Sequence, residues 1–379
     1  MDKIKVVFIQ DTLDCGGTAQ ALYDLSLLLD NEKFDVTVFS QKPGAAWDGK
    51  FRDAGIRLIY DYSCRKPTIN PFIKLRNIWK KVRTESCYRR DGEGLLDVIH
   101  PGADIVVSYS MWDYPRCGFA SGAKSVKFIH GNMSTNTAFR DLILRDHALL
   151  PRYDRIVCVS AAGQQAFVDI TGRSSGVETH FNPINSDMVR RLAEEQVNLP
   201  KDLPIVCAVG RLSAEKGFER LLVNHRRLLD EGISHRLVLV GDGPDRDYIR
   251  RTVQALDVQD TVLLAGYQAN PYPYIAASRF LVCASFTEGL PVVGMEALCL
   301  GIPVVSAVPS VGELFAGETC GLITENDNAS LRDGIRRMLA DEVFYAENKA
   351  GAQRRSHAFS GKRMVQEVEE MFLQMMQEA

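Results

Sequence analysis

Short apolar runs alternate with helix-length amphipathic segments along this chain, and the alternation occurs in two successive sets. Strands buried on both faces read as continuous apolar runs, and parallel strands need a long crossover between them, so the pattern is that of parallel sheets covered by helices. In the first set the runs are Lys5–Gln10, Asp35–Ser40, Arg57–Tyr60, Asp104–Ser110, Val126–His130 and Arg155–Ser160; in the second, Pro204–Gly210, Arg236–Gly241, Thr261–Tyr267, Phe280–Ser285, Pro303–Ala307 and Gly321–Thr324. At 379 residues the chain exceeds what one core usually supports, so each set is expected to be a domain. Between them, Asn182-Pro183-Ile184-Asn185 and the charged stretch ending in Leu199-Pro200-Lys201-Asp202-Leu203-Pro204 break the pattern. The expected division is a first domain over 1–185, a linker over 186–203, a second domain over 204–358 and a terminal helix over 359–379. That helix repeats Val365, Val368, Met371, Phe372 and Met375 on one face, which needs a partner.

Composition narrows the function classes. A formal net charge of -3 argues against a general nucleic-acid binder, which needs a domain-wide basic excess. The nine cysteines form no C-x-x-C pair, and Cys158, Cys207 and Cys283 sit in apolar runs, so they read as reduced core residues of a cytoplasmic protein. The opening Met1–Ile9 is too short an apolar run for a signal peptide, and no window reaches the length of a membrane span. No H-E-x-x-H pattern or helix-spaced histidine pair points to a metal, so none is expected.

The motif with most chemistry runs from Phe286 to Leu298, with Glu288 and Glu296 separated by seven residues. It follows an apolar strand and opens a helix. The Gly289-Leu290-Pro291 entry leaves backbone N–H groups free to face an anion such as a diphosphate, with the helix dipole adding favourable potential. Glu288 then lies beside the anion, and Glu296, more than a turn into the helix, can reach a hydroxyl pair such as a ribose. The same acids also read as a capping residue and a solvated helix residue. A second motif, Val209–Gly217, carries Arg211 and Lys216 past a strand end, a fork and a point charge suited to a leaving diphosphate; alternatively they are two surface cations around a Ser213 helix cap. A third, Gly241-Asp242-Gly243-Pro244, turns out of a strand and can hold a nucleoside by close backbone approach, with Tyr267 at the end of the next strand added to that set. Arg246 stands where a dinucleotide fingerprint needs its third glycine, and the acids Asp245 and Asp247 read as first-turn capping. In the first set, Cys15-Gly16-Gly17-Thr18 precedes the helix Ala19–Leu29, and His130 closes a strand where open α/β sheets place ligand-binding residues.

Taken in order, Gly210-Arg211-Leu212, Lys216-Gly217, Gly241-Asp242-Gly243 and Glu288 through Glu296 resemble the retaining GT-B glycosyltransferases of family 4 (glycosyl transferases group 1). Gly16-Gly17, His130 and Asn182-Pro183 stand in family-like places. The resemblance implies an α/β fold of two Rossmann-like domains facing across a cleft, with the terminal helix crossing back to the first. It implies that Arg211 and Lys216 bind the diphosphate, Glu288 the transferred sugar, Glu296 the ribose, and the backbone of Gly289 and Leu290 the phosphate. Gly16 and Gly17 would border acceptor and diphosphate, and His130 would approach the sugar. Relatives often carry an acid and an Arg soon after the glycine pair; here Ala19 and Gln20 follow Thr18, which weakens the inference on the acceptor side.

The implied reaction is transfer of a hexose-type sugar from a nucleotide diphosphate sugar, UDP-sugar favoured, with same-face substitution and no cofactor or metal. The acceptor would be a glycan or a lipid-linked glycan in bacterial surface-polysaccharide or lipopolysaccharide synthesis. A sugar-nucleotide epimerase of the same architecture, or a silent sugar-binding subunit, are the alternatives. One segment points to a membrane: between Cys64 and Arg90, Arg65, Lys66, Lys74, Arg76, Lys80, Lys81, Arg83, Arg89 and Arg90 accompany Phe72, Ile73, Leu75, Ile78 and Trp79, with Glu85 the sole glutamate. A basic helix bearing Trp suits an anionic membrane surface through residues 65–90, making this a peripheral protein on the inner face of the cytoplasmic membrane. A basic solvated face with its apolar side in the core is the other reading.

Overall fold

The two sets of apolar runs form two separate parallel sheets. The structure, a computed structural model, describes residues 2–14, 16–60, 71–90, 92–110 and 116–378. It divides into Met1–Pro183 with Lys362–Ala379, and Ile184–Gly361. In the first unit β1 (Ile4–Thr12), β2 (Phe34–Lys42), β3 (Arg57–Tyr60), β4 (Ile105–Ser108), β5 (Lys124–Ile129), β6 (Arg155–Cys158) and β7 (Val177–Thr179) lie in the order β3-β2-β1-β4-β5-β6-β7. In the second, β8 (Ile205–Val209), β9 (Arg236–Val240), β10 (Val262–Gly266), β11 (Phe280–Cys283), β12 (Val304–Ser306) and β13 (Gly321–Ile323) lie in the order β10-β9-β8-β11-β12-β13. β7 was not anticipated: three residues with one buried apolar side chain are too short to show a period.

Both sheets are doubly wound. The chain runs outward from β1 to β3 and returns on the other side at β4; it repeats this from β8 to β10 and back at β11. Crevices beyond the carboxyl ends at such reversals are where open α/β sheets bind ligands. The core follows from the continuous apolar runs: Val6, Val7, Phe8 and Ile9 of the central β1 are wholly buried, with Val7 in register with Thr37 of β2 and Val106 of β4.

The terminal helix Gly361–Gln377 belongs to the first unit from Lys362 onward. Its face of Val365, Val368, Met371, Phe372 and Met375 is buried, the Phe372 ring centred 6.4 Å from that of Phe8 and 6.0 Å from that of Phe34. Charged contacts flank it, Glu369 accepting from the Asp30 amide at 2.7 Å and Arg155 pairing with Glu378 at 2.7 Å. The stretch 186–203 opens with a helix, Ser186–Ala193, capped by the Asn185 side chain, which accepts from the Met188 amide at 3.1 Å. That helix lies in the second unit, where its Leu192 carbonyl accepts from Asn270 at 2.9 Å. Prolines and charge in this stretch masked a capped helix whose Val189 is buried.

A histidine pair is sealed at the amino-terminal side of the second sheet. The Ile233 carbonyl can only accept, so His235 Nδ1 donates to it at 2.9 Å and its Nε2 lies 2.8 Å from His225 Nδ1, while His225 Nε2 lies 2.9 Å from the Thr261 hydroxyl, which reaches the Val258 carbonyl at 3.2 Å. Burial pushes His225 down to about 3, with His235 and Arg226 adding to the effect, and burial also lowers His235. Because the folded value of His225 lies below the unfolded one, the stability it contributes is complete above about pH 6.5 and is lost as pH falls toward the folded value, by about 1.4 kcal/mol per unit. In urea melts between pH 7 and pH 5.5, His225→Gln should lose about 1 kcal/mol less than wild type; equal losses would contradict this reading.

Candidate functional site

The second unit gathers its motifs at the carboxyl edge of β8, β9, β10 and β11. Backbone bonds stitch the strand exits together: Gly210 N donates to Val240 O at 3.0 Å, Leu212 N to Asp242 O at 3.0 Å, Asp245 N to Leu212 O at 2.9 Å, and Gly241 N to Gly266 O at 2.8 Å. The approach explains two glycines. A Cβ on Gly241, whose φ is +143°, would lie 1.8 Å from the Gly210 carbonyl oxygen, and one on Gly243 would lie 2.4 Å from that of Leu212. Asp242 accepts from the Gly243 amide at 2.8 Å and from Arg246 at 3.2 Å. Asp245 occupies the N-cap of the helix Arg246–Ala255 without a side-chain capping bond, and Asp247 lies in the first turn, where the dipole favours an acid. Tyr267 follows β10 and is half exposed.

Lys216 sits at the end of a 3-10 turn, Ala214–Lys216, which Gly217 closes with φ +67°. Its Nζ pairs with the Glu288 carboxylate, which also accepts from the Ser285 hydroxyl at 2.8 Å. Both side chains are mostly covered, 28% exposed for Lys216 and 18% for Glu288. Arg211, 66% exposed, donates to Glu215 at 2.9 Å. The Ser213 hydroxyl also goes to Glu215, at 2.6 Å, and makes no helix-capping bond, so the cap reading of Ser213 fails. Desolvation would raise the Glu215 carboxyl, but the Ser213 hydroxyl, its backbone and Arg211 together hold it below the usual range.

Beyond Glu288, Gly289 and the buried Leu290 lead to Pro291, the N-cap of the helix Val292–Cys299. No side chain caps that helix, so its first amides face the same edge without an intrahelical partner. Glu296 is 8% exposed, and the Tyr272 hydroxyl donates to it at 3.1 Å. The site thus combines cations, a helix start and two held carboxylates, a set able to bind a diphosphate and hydroxyl groups. Among the described residues, no group of three or more His, Cys, Asp or Glu is arranged to hold a metal ion.

Gly16, Gly17 and His130 belong to the first unit. Gly16 and Gly17 start the helix Gly17–Leu28 after β1, while Cys15 lies outside the described residues. His130 follows β5, its ring centred 4.5 Å from that of Tyr109, and neither buried ring nitrogen makes a hydrogen bond by distance and angle. Burial, reinforced by Lys127, pushes its pKa down to about 3. Ser285, Tyr272 and Arg220 escaped the sequence reading. The first adjoins a strand end as many serines do, Tyr272 looks like an ordinary residue of a short apolar helix, and Arg220 is one of several charged residues in an amphipathic helix.

Residues 189–356 match the family model described as Glycosyl transferases group 1. A Campylobacter jejuni N-acetylgalactosamine-N,N'-diacetylbacillosaminyl-diphospho-undecaprenol 4-alpha-N-acetylgalactosaminyltransferase is 32% identical over 48% of this chain, and the chain spans about half (49%) of its length. A lipopolysaccharide core biosynthesis glycosyltransferase, LpsE, of Rhizobium meliloti is 29% identical over 50% of this chain and 54% of its own. Among solved structures, Anabaena HepE in complex with UDP and glucose superposes with a TM-score of 0.76 at 19% identity, covering 97% of this chain and 99% of that one. Sucrose-phosphate synthase of Thermosynechococcus elongatus does so with 0.77 at 20% identity over 100% of both. These likenesses show the fold, that of the GT-B glycosyltransferases.

The stitching of the strand exits is directly testable. Gly241→Ala should lower stability by about 1–3 kcal/mol or more in urea unfolding, because the methyl has nowhere to go and the backbone must leave φ +143°. A variant as stable as wild type would mean the exits are not held as described.

Proposed function

We propose that this chain is a glycosyltransferase that moves a hexose-type sugar from a nucleotide diphosphate sugar onto a glycan or lipid-linked acceptor. The observation that carries the reading is the Lys216–Glu288 pair, supported by Ser285, beside an uncapped helix start at the sheet's reversal point. It lies within the segment matched by the glycosyl transferases group 1 model. In the proposed reaction the diphosphate takes Arg211, Lys216 and the first amides after Pro291 as its partners. Glu288 holds hydroxyls of the sugar, and Glu296, oriented by Tyr272, takes the ribose. Bond breaking leaves positive charge at the anomeric carbon and negative charge on the diphosphate, which the two cations and the helix start stabilise. The acceptor hydroxyl enters on the face the diphosphate leaves, and its proton goes to a diphosphate oxygen, giving retention without a metal.

The relatives' names favour bacterial lipid-linked oligosaccharide or lipopolysaccharide assembly as the pathway, and the UDP in the similar Anabaena structure favours a uridine donor. An epimerase would convert the donor into its epimeric sugar nucleotide with no acceptor, whereas the proposed transferase releases nucleoside diphosphate only in step with glycosylated acceptor. Glu288→Gln should bind UDP within about threefold of wild type while transfer falls by about 10²-fold, and the wild-type rate should survive EDTA. Full activity in the variant, or loss with EDTA and rescue by manganese, would defeat the proposed mechanism.

A membrane role for the first unit rests on the helix Pro71–Tyr88. Thr84 and Cys87 are buried, while Ile78, Trp79 and Val82 are 51%, 55% and 60% exposed, with Arg83 stacked 4.7 Å from the Trp79 ring and Lys81 on the surface. Ile78 and Trp79, together with Val82, therefore face solvent beside cations, the arrangement an interfacial helix needs. Arg65 and Lys66, with the side chains of Phe72, Ile73, Lys74, Leu75, Arg76 and Lys80, lie outside the described residues. No helix of the described residues is long and apolar enough to cross a membrane. With Ile78, Trp79, Val82, Lys81 and Arg83 changed to Ser, sedimentation with anionic vesicles at low salt should fall sharply while UDP binding persists. Undiminished sedimentation would reject the role.

A further inference from the structure

Arg220 is nearly sealed, 4% exposed, in the helix Phe218–Asp230 that follows the Lys216 turn. Its guanidinium grips the end of β11. Nε donates to Ala284 O at 2.7 Å, Nη2 to Ser285 O at 2.9 Å and Nη1 to Asn326 Oδ1 at 2.7 Å; Asn326 in turn donates to Phe286 O at 2.8 Å. The guanidinium lies 4.1 Å from the centre of the Phe286 ring. The carbonyls of three successive residues are thus held, two directly and one through Asn326. The same stretch is tied to the cation loop: Phe286 N donates to Glu215 O at 2.8 Å, and a Cβ on Gly217 would meet the Ala284 oxygen at 2.1 Å. Two residues beyond Phe286 stands Glu288, which accepts from the hydroxyl of the gripped Ser285.

A buried charge is an expensive way to join a helix to a sheet, since apolar residues of similar volume usually do as well or better. What an apolar residue lacks is a rigid fork that fixes several carbonyls at once. Burial lowers the guanidinium to about 10, opposed by Asp327, so it remains charged at neutral pH.

We infer that Arg220 is a positioning residue for the transfer reaction, holding the Ala284–Phe286 backbone so that Glu288 meets Lys216 and the sugar in one geometry. This rests on the reading of Glu288 given above. The test uses the full chain with Arg220→Ala, Arg220→Lys and, at an exposed position, Asn326→Ala. Arg220→Ala should lose about 10²-fold in kcat, the scale of a displacement of about 1 Å, with KM for the sugar nucleotide and Kd for UDP within about threefold of wild type. Added guanidinium ion at non-denaturing concentration should restore part of the rate in Arg220→Ala but not raise that of wild type. Arg220→Lys should remain impaired, because one ammonium cannot span the three acceptors. Asn326→Ala should show a smaller kcat loss in the same direction. In each variant the Phe286 amide should exchange with deuterium faster while β8 and β9 keep their protection.

Unchanged kcat, or unchanged exchange at Phe286, overturns the inference, as does a loss of kcat matched by equal loss of UDP binding and no guanidinium rescue. If Arg220→Ala fails to fold, Asn326→Ala decides on the same two readouts. Should wild type transfer no sugar from any nucleotide, the reading of the site falls; Phe286 exchange still decides whether Arg220 holds the loop.

Discussion

In the second unit everything depends on the contact between the exits of β8 and β11. These strands are neighbours in the sheet although two other strands separate them in sequence, so their outgoing loops meet where the winding reverses. The Lys216–Glu288 ion pair joins the loops through side chains and the Glu215–Phe286 bond joins them through the backbone. Gly217 is the residue that lets them come so close. Move either exit and the cation, the carboxylate and the helix start at Pro291 no longer face one place.

Charge at this edge is balanced internally. Arg211 leans on Glu215 and Lys216 on Glu288, so the two cations proposed to bind the diphosphate have carboxylate partners. For Arg211, largely in water, that pairing is worth little and yields readily to a diphosphate. Lys216 is more covered, and in the proposed reaction it need not release Glu288 to reach the anion, since an ammonium has three donors. Ser285, Tyr272 and Arg220 then serve to keep the acids where they stand.

Much of this was legible in the sequence because it is carried by periodicity and by spacing. Apolar runs such as Val6–Ile9 reveal central strands, and Arg211 with Lys216, Gly241 and Glu288 each follow an apolar run, so they leave β8, β9 and β11 at the same edge of one sheet. β7 was too short to show a period, and the helix Ser186–Ala193 was hidden by the prolines around it. What could not be read were partners distant in sequence: Arg220 with Ala284, and Tyr272 with Glu296. Each depends on two elements meeting in space, and nothing in a local pattern marks which arginine will be buried. The outward placement of Ile78, Trp79 and Val82 likewise required the fold, because amphipathic spacing fits a core face and an interfacial face equally well.

The central claim is that the carboxyl edge of β8 and β11 is where a nucleotide diphosphate sugar binds, and amide hydrogen exchange with and without saturating UDP tests it most directly. The account predicts new protection centred on two stretches, 210–217 and 288–296, with β8 and β11 themselves unchanged because they are already protected. Protection elsewhere in the chain with none in these two stretches, under conditions where binding is established, would contradict it.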